Sequence, residues 1–575
     1  RIAKDCGARL YDAFHLNFTS TIPRPLMESL AESTLESDSV SLISKVYDQY
    51  MHFVSLEEQL FTFNQPDSYV AFNSSKVSDS QAEANIDAVV ESLFSVLITM
   101  QQVPIIRCPR NTAASMVAAK LNTRLKEHLL KRGTLLDSPS SSFVRPVLIL
   151  LDRNVDLTVM CHHTWTYQAL IHDLLDFKLN SVRVDVDTER EDGSKHSEPK
   201  TYDLDQSDSF WAENAGNPMP DVAANIQSKL KEYTSVLNEV NRLKGDGLDH
   251  SGDVLLRTKD LGSLVSEIPE LQEKKRCIDM HTNIASALFD IIKSRRLDNF
   301  FSLEEAIMTA SASSQDRREI LSLVQQPLKQ EELSSLEASK AQALKIAAAE
   351  DKLRLFLIYY MSQNNMPAEE IERFEAALTD SGTDLHAIQY LKKMRLIFDT
   401  NLFHPTTASS KGGKSAPGSS GSGLMRQGYN SVANLFQLGV SQMKMLIPTT
   451  KRLYLTRIVD AIMEMKQDLG VEDYEYYDPK ATLASAGGGA SFSPSSLQSG
   501  SQVPRKNTPF KQAIVFVIGG GNYIEYQNLQ DYAKKHSSSK HSDAPKQIVY
   551  GTTEMLTASQ FLHQLSTLGK EELDH

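Results

Sequence analysis

The chain combines short apolar runs with longer segments in which apolar residues recur every three or four positions. Residues 82–100 and 111–130 show this helical spacing, and short apolar runs stand at 103–107 and 144–151. The run at 144–151 is too short for a surface helix and is typical of a parallel strand that is buried on both faces. The resulting order of helix, strand, helix and strand indicates an α/β domain.

A second strand of the same kind is predicted near the other end of the chain, at residues 513–518. The order of strand and then helix is repeated at 547–550 and 557–568. Between the two α/β parts lies a mainly helical stretch, residues 163–478. The simplest architecture is therefore a helical domain inserted into an α/β domain whose two segments share one parallel sheet.

Two segments have a biased composition. Residues 406–423 are rich in Ser, Gly and Lys, and residues 484–502 are rich in Ser and Gly. Such segments bury too little apolar surface to offset the conformational entropy of ordering them. Both are therefore expected to be mobile loops.

Composition and charge exclude several classes of protein. A chain of 575 residues exceeds the size at which one hydrophobic core keeps growing, so about two to four packed units are expected. With 41% hydrophobic and 23% charged residues it has the balance of an ordinary globular protein. The net charge of -13 and the dispersed Lys and Arg residues argue against nucleic-acid binding. No apolar run approaches the roughly 20 residues that span a bilayer, so an integral membrane protein is not expected.

The cysteines indicate a reducing compartment. There are four, they are far apart, and none forms a CxxC pair: Cys6, Cys108, Cys161 and Cys277. They are too few to hold together a chain of this length through disulfides. A reducing compartment, where disulfides are rare, is the natural interpretation.

The strand at 147–151 is followed by the sequence DRNVD, at the end of a strand where α/β proteins place ligand sites. A catalytic interpretation makes Asp152 or Asp156 a metal ligand or a general base. His162 and His163 would then lie nearby. The structural interpretation is an Asp–Arg pair and a helix N-cap that fix the crossover from strand to helix. It is favoured, because no third ligand follows at a recognisable spacing.

Three glycines and an asparagine, residues 519–522, follow the strand at 513–518 and resemble a dinucleotide-binding loop. The full GxGxxG motif is absent, because Ile524 stands where its last glycine would be, and there is no GxxxxGK[ST] loop. A sharp turn with positive φ is favoured instead. Neither a GxSxG motif nor a cysteine with convincing local partners is present, so no catalytic residue and no cofactor is predicted.

The helical middle contains two amphipathic segments, at 221–244 and 271–296. A charged, glycine-containing link that ends at Ile268 and Pro269 joins them, which predicts a long helical hairpin. Such a hairpin can hold a partner helix along its surface, as in helix-in-groove recognition. The alternative is that both apolar stripes pack within the protein, and the pattern leaves the two interpretations open.

The segment 424–447, if helical, carries an apolar stripe opposite an uncharged polar face. A face of this kind suits insertion into loosely packed lipid, because burial and not charge attraction drives binding. The alternative, which does not exclude the first, is a helix that covers a groove of its own protein. The stripe consists of Met425, Tyr429, Val432, Phe436, Val440, Met443 and Ile447.

Several collinear strings span nearly the whole chain and are together far more specific than any single motif. They are VPIIRCPRNTAA from Val103, LILLDRNVDL from Leu148, HHTWTYQALIHDLLDF from His162, LRLFLIYY from Leu353, YYDPK from Tyr476 and AIVFVIGGGNYIEYQNL from Ala513. In these strings the chain resembles the SM (Sec/Munc) family of SNARE-binding regulators. It resembles most the Sly branch, which acts between endoplasmic reticulum and Golgi.

The resemblance implies an α/β plus all-α fold: an arch-shaped, multi-domain molecule with a split parallel-sheet domain and a large inserted helical domain. It also implies that the chain begins near the end of the first domain and lacks most of the pocket for a syntaxin N-terminal peptide. The implied divisions are 1–22 for the remnant of the first α/β domain, 23–162 and 509–575 for the two segments of the second, and 163–508 for the helical third domain, with a SNARE-binding hairpin at 221–296 and a mobile loop at 406–447.

Two sets of site residues follow from the resemblance, with Pro269 placed at the turn of the hairpin. The candidates for SNARE binding are Pro269, Leu271, Lys274, Lys275, Ile278, His281 and Ile284. The candidates for membrane contact are Met425, Tyr429, Val432, Phe436, Val440 and Met443.

The function implied is that of a monomeric, non-enzymatic protein that binds syntaxin-type and other SNARE proteins. It would template and protect SNARE complex assembly during vesicle docking and fusion. Neither metal nor nucleic acid is expected as a ligand. The expected location is cytoplasmic, with peripheral contact to vesicle, ER and Golgi membranes. The alternative class is a nucleotide-binding α/β enzyme.

Overall fold

A computed structural model describes most of the chain, namely residues 2–19, 22–130, 145–189, 195–245, 254–308, 314–327, 338–363, 366–397, 452–481, 508–537 and 545–573. The chain forms two compact units. The first comprises residues 1–155, 453–521 and 528–555, and the second comprises residues 156–452, 522–527 and 556–575.

The strands of the described residues are β1 (Phe14–Phe18), β2 (Ile43–Asp48), β3 (Val54–Glu57), β4 (Leu60–Thr62), β5 (Ile105–Cys108), β6 (Val147–Asp152), β7 (Asp176–Lys178), β8 (Ser181–Glu189), β9 (Lys195–Asp203), β10 (Glu475–Tyr477), β11 (Gln512–Ile518) and β12 (Gln547–Thr552). The α-helices are α1 (Ile2–Gly7), α2 (Arg24–Glu36), α3 (Ser68–Asn73), α4 (Asp79–Thr99), α5 (Ala113–Leu130), α6 (Thr158–Cys161), α7 (Tyr167–Leu174), α8 (Ser209–Asn214), α9 (Met219–Gly245), α10 (Val254–Arg295), α11 (Leu297–Met308), α12 (Ser314–Gln325), α13 (Ala338–Ser362), α14 (Ala368–Asp380), α15 (His386–Ile397), α16 (Tyr454–Met463), α17 (Tyr523–Ser537) and α18 (Ala558–Leu573).

The first unit is built on a seven-stranded sheet with the order β10-β5-β6-β11-β12-β4-β3. Its five inner strands are parallel neighbours, and β10 and β3 are antiparallel to them at the two edges. β6 and β11 pair directly, with Leu150 opposite Phe516. The prediction that two distant segments share one parallel sheet is therefore confirmed, and so is the mixed α/β class of the fold.

The core of this unit explains why these strands form. Residues 147–151 are fully buried at every position, as expected for a parallel strand that is covered on both faces. The ring of Phe516 lies 5.9 Å from that of Phe61 and 4.7 Å from that of Phe63. A Cβ atom on Gly551 would lie 2.1 Å from the Phe61 ring, so only glycine fits at this position of β12.

A separate two-stranded sheet stands near the beginning of the chain. β1 and β2 are parallel, with Leu16 opposite Val46. α2 follows Pro23 and provides the crossover between them. The domain boundary predicted between residues 22 and 23 is corrected, because it would divide this strand–helix–strand unit. Proline at the first turn of a helix marks where the helix begins and does not mark a domain boundary.

The second unit departs from the helical domain predicted for residues 163–508. It contains an antiparallel three-stranded sheet, β7-β8-β9, in which Val182 lies opposite Tyr202. Residues 453–508 belong instead to the first unit, where β10 pairs with β5 and places Tyr476 opposite Arg107. Backbone hydrogen bonds between distant segments decide this assignment, and they leave no local pattern in the sequence.

The hairpin prediction needs a second correction. α9 packs against α10, but α10 begins at Val254 and not at residue 271, and Pro269 lies inside it. Proline in a helix removes one backbone hydrogen bond, which a helix of 42 residues tolerates. Pro269 is therefore not at the turn, and the link between the helices, residues 246–253, lies outside the described residues.

The last helix, α18, belongs to the second unit, whereas residues 509–575 were predicted to lie together in the α/β domain. It packs closely against α15. A Cβ atom on Gly569 would lie 2.1 Å from the backbone oxygen of His386, so the two helices touch through a glycine. The apolar face of α18 is clear from the sequence, but the surface that it covers is not.

Among the described helices, none is both long enough and apolar enough to cross a bilayer.

Candidate binding groove

A groove of about 680 Å³ opens on the second unit. Three parts of the chain line it: the end of β9 with the loop that follows, one face of α9, and the part of α10 from Glu270 to Met280. The contribution of α9 comes from Lys229, Glu232, Tyr233 and Val236, which are spaced to share one helix face. The helix pair that the sequence predicted as a docking surface therefore forms two walls of a real concavity.

The apolar stripe of α9 extends beyond the protein's own core. Val222 and Ile226, near its beginning, are buried. Farther along, Leu230, Val236 and Leu237 are 45%, 38% and 36% exposed. The first turns of the stripe therefore pack within the unit. Its later turns are exposed in the described structure, and docking of a partner helix there stays a prediction.

The seven predicted SNARE-binding residues separate into two groups. Pro269, Lys274 and Lys275 are exposed, and Leu271 is half-buried at the edge of the groove. The other three, listed here, face inward: Ile278, His281 and Ile284 are 9%, 0% and 0% exposed. Of these, Ile278 lines the floor of the groove. A partner therefore cannot reach His281 or Ile284, and their assignment to a binding surface is corrected.

His281 has a structural environment of its own. Its Nδ1 atom lies 2.9 Å from the hydroxyl of Tyr167, and its Nε2 atom lies 3.2 Å from the carboxylate of Asp208. Its ring packs on that of Phe210 at 4.5 Å between centroids. Helical spacing alone places His281 and Ile278 on neighbouring positions of a helix, but it does not say which of them lies under other elements.

The groove is predominantly acidic. Its lining contains six carboxylates and three basic groups: Asp203, Asp205, Asp208, Glu232, Glu270 and Glu273 against Lys229, Lys274 and Arg276. Glu273 and Arg276 form an exposed ion pair of 2.6 Å. The hydroxyl of Ser207 lowers the pKa of Asp205, so this carboxylate stays charged. The charge of the lining favours a partner that carries basic residues.

Asp208 connects the groove to the core. Its Oδ1 atom accepts a hydrogen bond of 2.9 Å from the amide of Trp211 and caps α8. Burial alone would raise the pKa of Asp208, but the hydrogen bonds from His281 and Trp211 lower it below its ordinary value. Neither Asp208 nor Cys277 was predicted as a site residue, and the loop that carries Asp208 has no distinctive pattern. The only local signal is the spacing of four between Cys277 and His281.

The acidic residues at the end of β6 and just after it have structural roles. Asp152 accepts a hydrogen bond of 3.1 Å from the amide of Ala114 in the first turn of α5, and burial raises its pKa to about 6. Asp156 accepts bonds of 3.0 and 2.6 Å from the amide and hydroxyl of Thr158. The N-cap residue of α6 is Leu157, which makes no side-chain cap hydrogen bond, so the predicted N-cap is corrected. The guanidinium of Arg153 donates to the backbone oxygen of Gly520.

The backbone amides of the glycine turn after β11 are hydrogen-bonded within the protein. Gly519 and Gly520 have φ angles of 93° and 100°, as the turn interpretation predicts. Their amides donate to the hydroxyl of Thr553 at 3.0 and 3.1 Å. The amide of Gly521 donates to the backbone oxygen of Glu554 at 2.9 Å. These are the donors that a bound phosphate would need.

His162 and His163 belong to a buried charge cluster in the second unit. Both imidazoles bind Glu304, at 2.9 and 2.6 Å, and His163 also binds Asp351 at 3.0 Å. These four side chains are at most 7% exposed, so the cluster is part of the core of this unit.

The predicted membrane-contact residues, Met425 to Met443, lie outside the described residues. The same holds for the stretches predicted as mobile loops, residues 406–447 and 484–502.

Comparison with known proteins gives the family. The model of the Sec1 family matches residues 1–564. Human "Sec1 family domain-containing protein 1" is 39% identical over 599 residues, which cover 99% of this chain and 84% of that protein. "Protein sly1" of Schizosaccharomyces pombe is 35% identical over 584 residues, which cover 99% and 84%. A crystal structure of Sly1p in complex with an N-terminal peptide of Sed5p is similar with a TM-score of 0.73 and 27% identity, covering 99% of this chain and 82% of that one. The chain therefore belongs to the Sec1 family.

Proposed function

We propose that this protein binds syntaxin-type and other SNARE proteins. It templates and protects their assembly during vesicle docking and fusion between endoplasmic reticulum and Golgi. The support from relatives is that Sly1 proteins are similar over 99% of this chain, so the likeness is not limited to one unit. One of them, Sly1p, was crystallised with an N-terminal peptide of Sed5p.

The observation that carries this proposal is the exposed stripe of α9 beside the groove. Leu230 and Leu237 are two turns apart on one face, and Tyr233 lies between them and lines the groove. An amphipathic helix binds such a surface by burying apolar residues at matching spacing. Leu271 adds an apolar contact from α10. Of the other predicted SNARE-binding residues, Pro269, Lys274 and Lys275 are exposed and are proposed to contact the partner.

The acidic lining favours one class of partner and one register of binding. A partner helix with basic residues beside its apolar face would be attracted to the groove and would be held in one register. Holding two SNARE segments in register uses binding energy to offset the entropy cost of ordering them. This cost otherwise slows their pairing. The protein thus acts through binding and not through a covalent reaction.

The amides of the glycine turn are hydrogen-bonded within the protein, which favours a binding function over nucleotide-dependent catalysis. The donors of Gly519 and Gly520 are bonded to Thr553, so this turn offers no cradle for phosphate. The proposed location is cytoplasmic, as a monomer that is peripherally associated with ER and Golgi membranes. The lipid contact is proposed for the stripe from Met425 to Met443, on its sequence pattern alone.

The groove is tested by placing charges on the exposed stripe. We expect Leu230→Asp combined with Leu237→Asp to reduce stimulation of SNARE-dependent liposome fusion by roughly tenfold or more, because two apolar contacts of a helix interface are lost. Both side chains are exposed, so the thermal unfolding midpoint should change little.

Ile346→Asp is the matched control. Ile346 is 54% exposed on α13 of the same unit and does not line the groove, so its replacement should leave fusion unchanged. Full stimulation by the α9 double variant, or an equal loss in both proteins, would remove the α9 stripe from the mechanism.

A further inference from the structure

Three side chains with different metal-binding donor atoms meet at the inner end of the groove. They are the carboxylate of Asp208, the thiol of Cys277 and the imidazole of His281. Cys277 and His281 are four residues apart on α10, so they lie one above the other on the same helix face. Asp208 reaches them from the residue that caps α8.

The distances from Asp208 to the other two donors are close to those of a tetrahedral zinc site. The sulfur of Cys277 lies 3.6 Å from each oxygen of Asp208, and Nε2 of His281 lies 3.2 Å from Oδ2. Zinc forms bonds of about 2.0–2.1 Å to nitrogen and oxygen and about 2.3 Å to sulfur, so its ligands are about 3.3 Å apart for N and O and about 3.5 Å apart for S and O. The oxygens of Asp208 therefore lie within a few tenths of an ångström of these values, and all the donor atoms lie within 4.8 Å of one another.

The surroundings of His281 orient it as a metal ligand. Its Nδ1 atom lies 2.9 Å from the hydroxyl oxygen of Tyr167, which leaves Nε2 directed at Asp208. In metal sites the second ring nitrogen of histidine usually donates to an oxygen, which fixes the tautomer and the ring plane. The stacking of His281 on Phe210 fixes the ring further.

A simple hydrogen bond between His281 and Asp208 would explain two of the three residues. The thiol of Cys277 also donates to both oxygens of the same carboxylate at 3.6 Å, so all three groups converge on Asp208. A mixed set of nitrogen, oxygen and sulfur donors suits zinc and not magnesium or calcium, which prefer oxygen alone.

We propose that Asp208, Cys277 and His281 bind one Zn²⁺ ion and leave a fourth coordination position open to the groove. Asp208 and Cys277 both line the groove, so water or a side chain of a bound partner can complete the tetrahedron. The ion would tie the loop before α8 to α10 and would stiffen one wall of the groove. This inference does not depend on which protein occupies the groove.

Zinc binding is tested on the full chain after removal of metal with a chelator, by titration against a chromophoric zinc competitor. We expect one ion per chain. Partners outside the coordination shell already contribute about 10–100-fold to metal affinity, so Cys277→Ser should weaken binding by roughly 100-fold or more. Asp208→Asn keeps the cap of α8, because asparagine is an equally good N-cap, and should weaken zinc without unfolding the protein.

Cys108→Ser is the matched control. The sulfur of Cys108 also lies near a carboxylate, that of Glu475 at 3.8 Å, but it belongs to no cluster of three metal-binding groups among the described residues. This variant should bind zinc as the parent protein does. Cobalt provides a second readout, since only a thiolate ligand gives a sulfur-to-metal charge-transfer band, which Cys277→Ser should abolish and Cys108→Ser should keep. Equal zinc affinity in the parent and in Cys277→Ser, or a cobalt spectrum without that band, would overturn the proposal.

Discussion

Charged side chains are buried at the centre of the second unit, where each is stabilised by the others. Burial alone would lower the pKa of His162, but its hydrogen bonds to Glu304 and Glu305 raise it to about 9. Burial alone would raise the pKa of Glu304, but His163 and His162 lower it to about 2. A second layer follows, in which Arg295 forms two hydrogen bonds to Asp351, which in turn binds His163.

These shifts predict how stability depends on pH. The pKa of His162 is raised from 6.5, so its contribution is complete below about pH 6.5 and is lost as the pH rises through about 9. The pKa of Glu304 is lowered from 4.5, so its contribution is complete above about pH 4.5 and is lost as the pH falls towards 2. We expect Glu304→Gln to destabilise the unit by about 3–5 kcal/mol near pH 6, because it leaves a buried imidazolium without its counter-charge.

Urea unfolding followed by tryptophan fluorescence measures this loss. The chain has two tryptophans, Trp165 and Trp211, and both are buried in the second unit. Glu305→Gln is the control, because Glu305 lies 3.4 Å from His162 and is partly exposed, so its loss should cost under about 1 kcal/mol. Equal effects of the two variants would contradict the assignment. The sequence singled out the histidines, but Glu304 lies 141 residues from His163, a distance that no local pattern connects.

At the scale of single elements, the spacing of apolar residues predicted most of the helices and strands to which it was applied. α5 covers residues 113–130 against a prediction of 111–130, and β11 covers the apolar run predicted at 513–518. β8 was missed although Val182, Val184 and Val186 alternate with polar residues, which is the pattern of a strand with one buried face. The break predicted at Pro269 was wrong because the backbone cost of one proline is small against the packing of the rest of α10.

Gly569 gives a prediction at this scale. Glycine to alanine within a helix usually stabilises a protein by about 0.5–1 kcal/mol. Here the new Cβ atom would lie 2.1 Å from the backbone oxygen of His386, so α18 must shift from α15. We expect Gly569→Ala to destabilise the second unit by about 1–3 kcal/mol in the tryptophan-monitored urea transition.

Gly216→Ala, in the same unit, is the control for this expected change from a stabilising to a destabilising effect. A Cβ atom on Gly216 would meet nothing within 4 Å, so this variant should be neutral or slightly stabilising. A neutral or stabilising Gly569→Ala would show that the two helices do not depend on this close approach.

For the molecule as a whole, the sequence predicted the inserted architecture but not which unit each segment joins. The strands at 147–152 and 512–518 were expected to pair because two buried parallel strands need neighbours, and they do. β10 and α18 were assigned to the wrong unit. An apolar helix face or a three-residue strand specifies that it must be covered, but many surfaces can cover it, and only the complete fold selects one.

Helix α17 begins in the second unit and continues in the first, so we expect the stability of the two units to be coupled. Residues 522–527 of the chain belong to the second unit, where the ring of Tyr523 lies 4.9 Å from that of His172, and the helix from Asn528 onwards belongs to the first. β11 leads into this helix through the glycine turn. We expect Phe516→Ala, which removes a ring packed on Phe61 and Phe63, to cost about 3–5 kcal/mol in the first unit.

Because loss of β11 would release the beginning of α17, the same variant should also lower the midpoint of the tryptophan transition, although both tryptophans are in the second unit. Met116→Ala, at a side chain of the first unit that is 55% exposed, should change neither the circular dichroism nor the fluorescence transition. If Phe516→Ala instead splits unfolding into an early dichroism transition and an unchanged fluorescence transition, the shared helix does not couple the units. Coincident transitions at a lower urea concentration are expected, because a continuous helix cannot lose one half without exposing the unsatisfied backbone groups of the other.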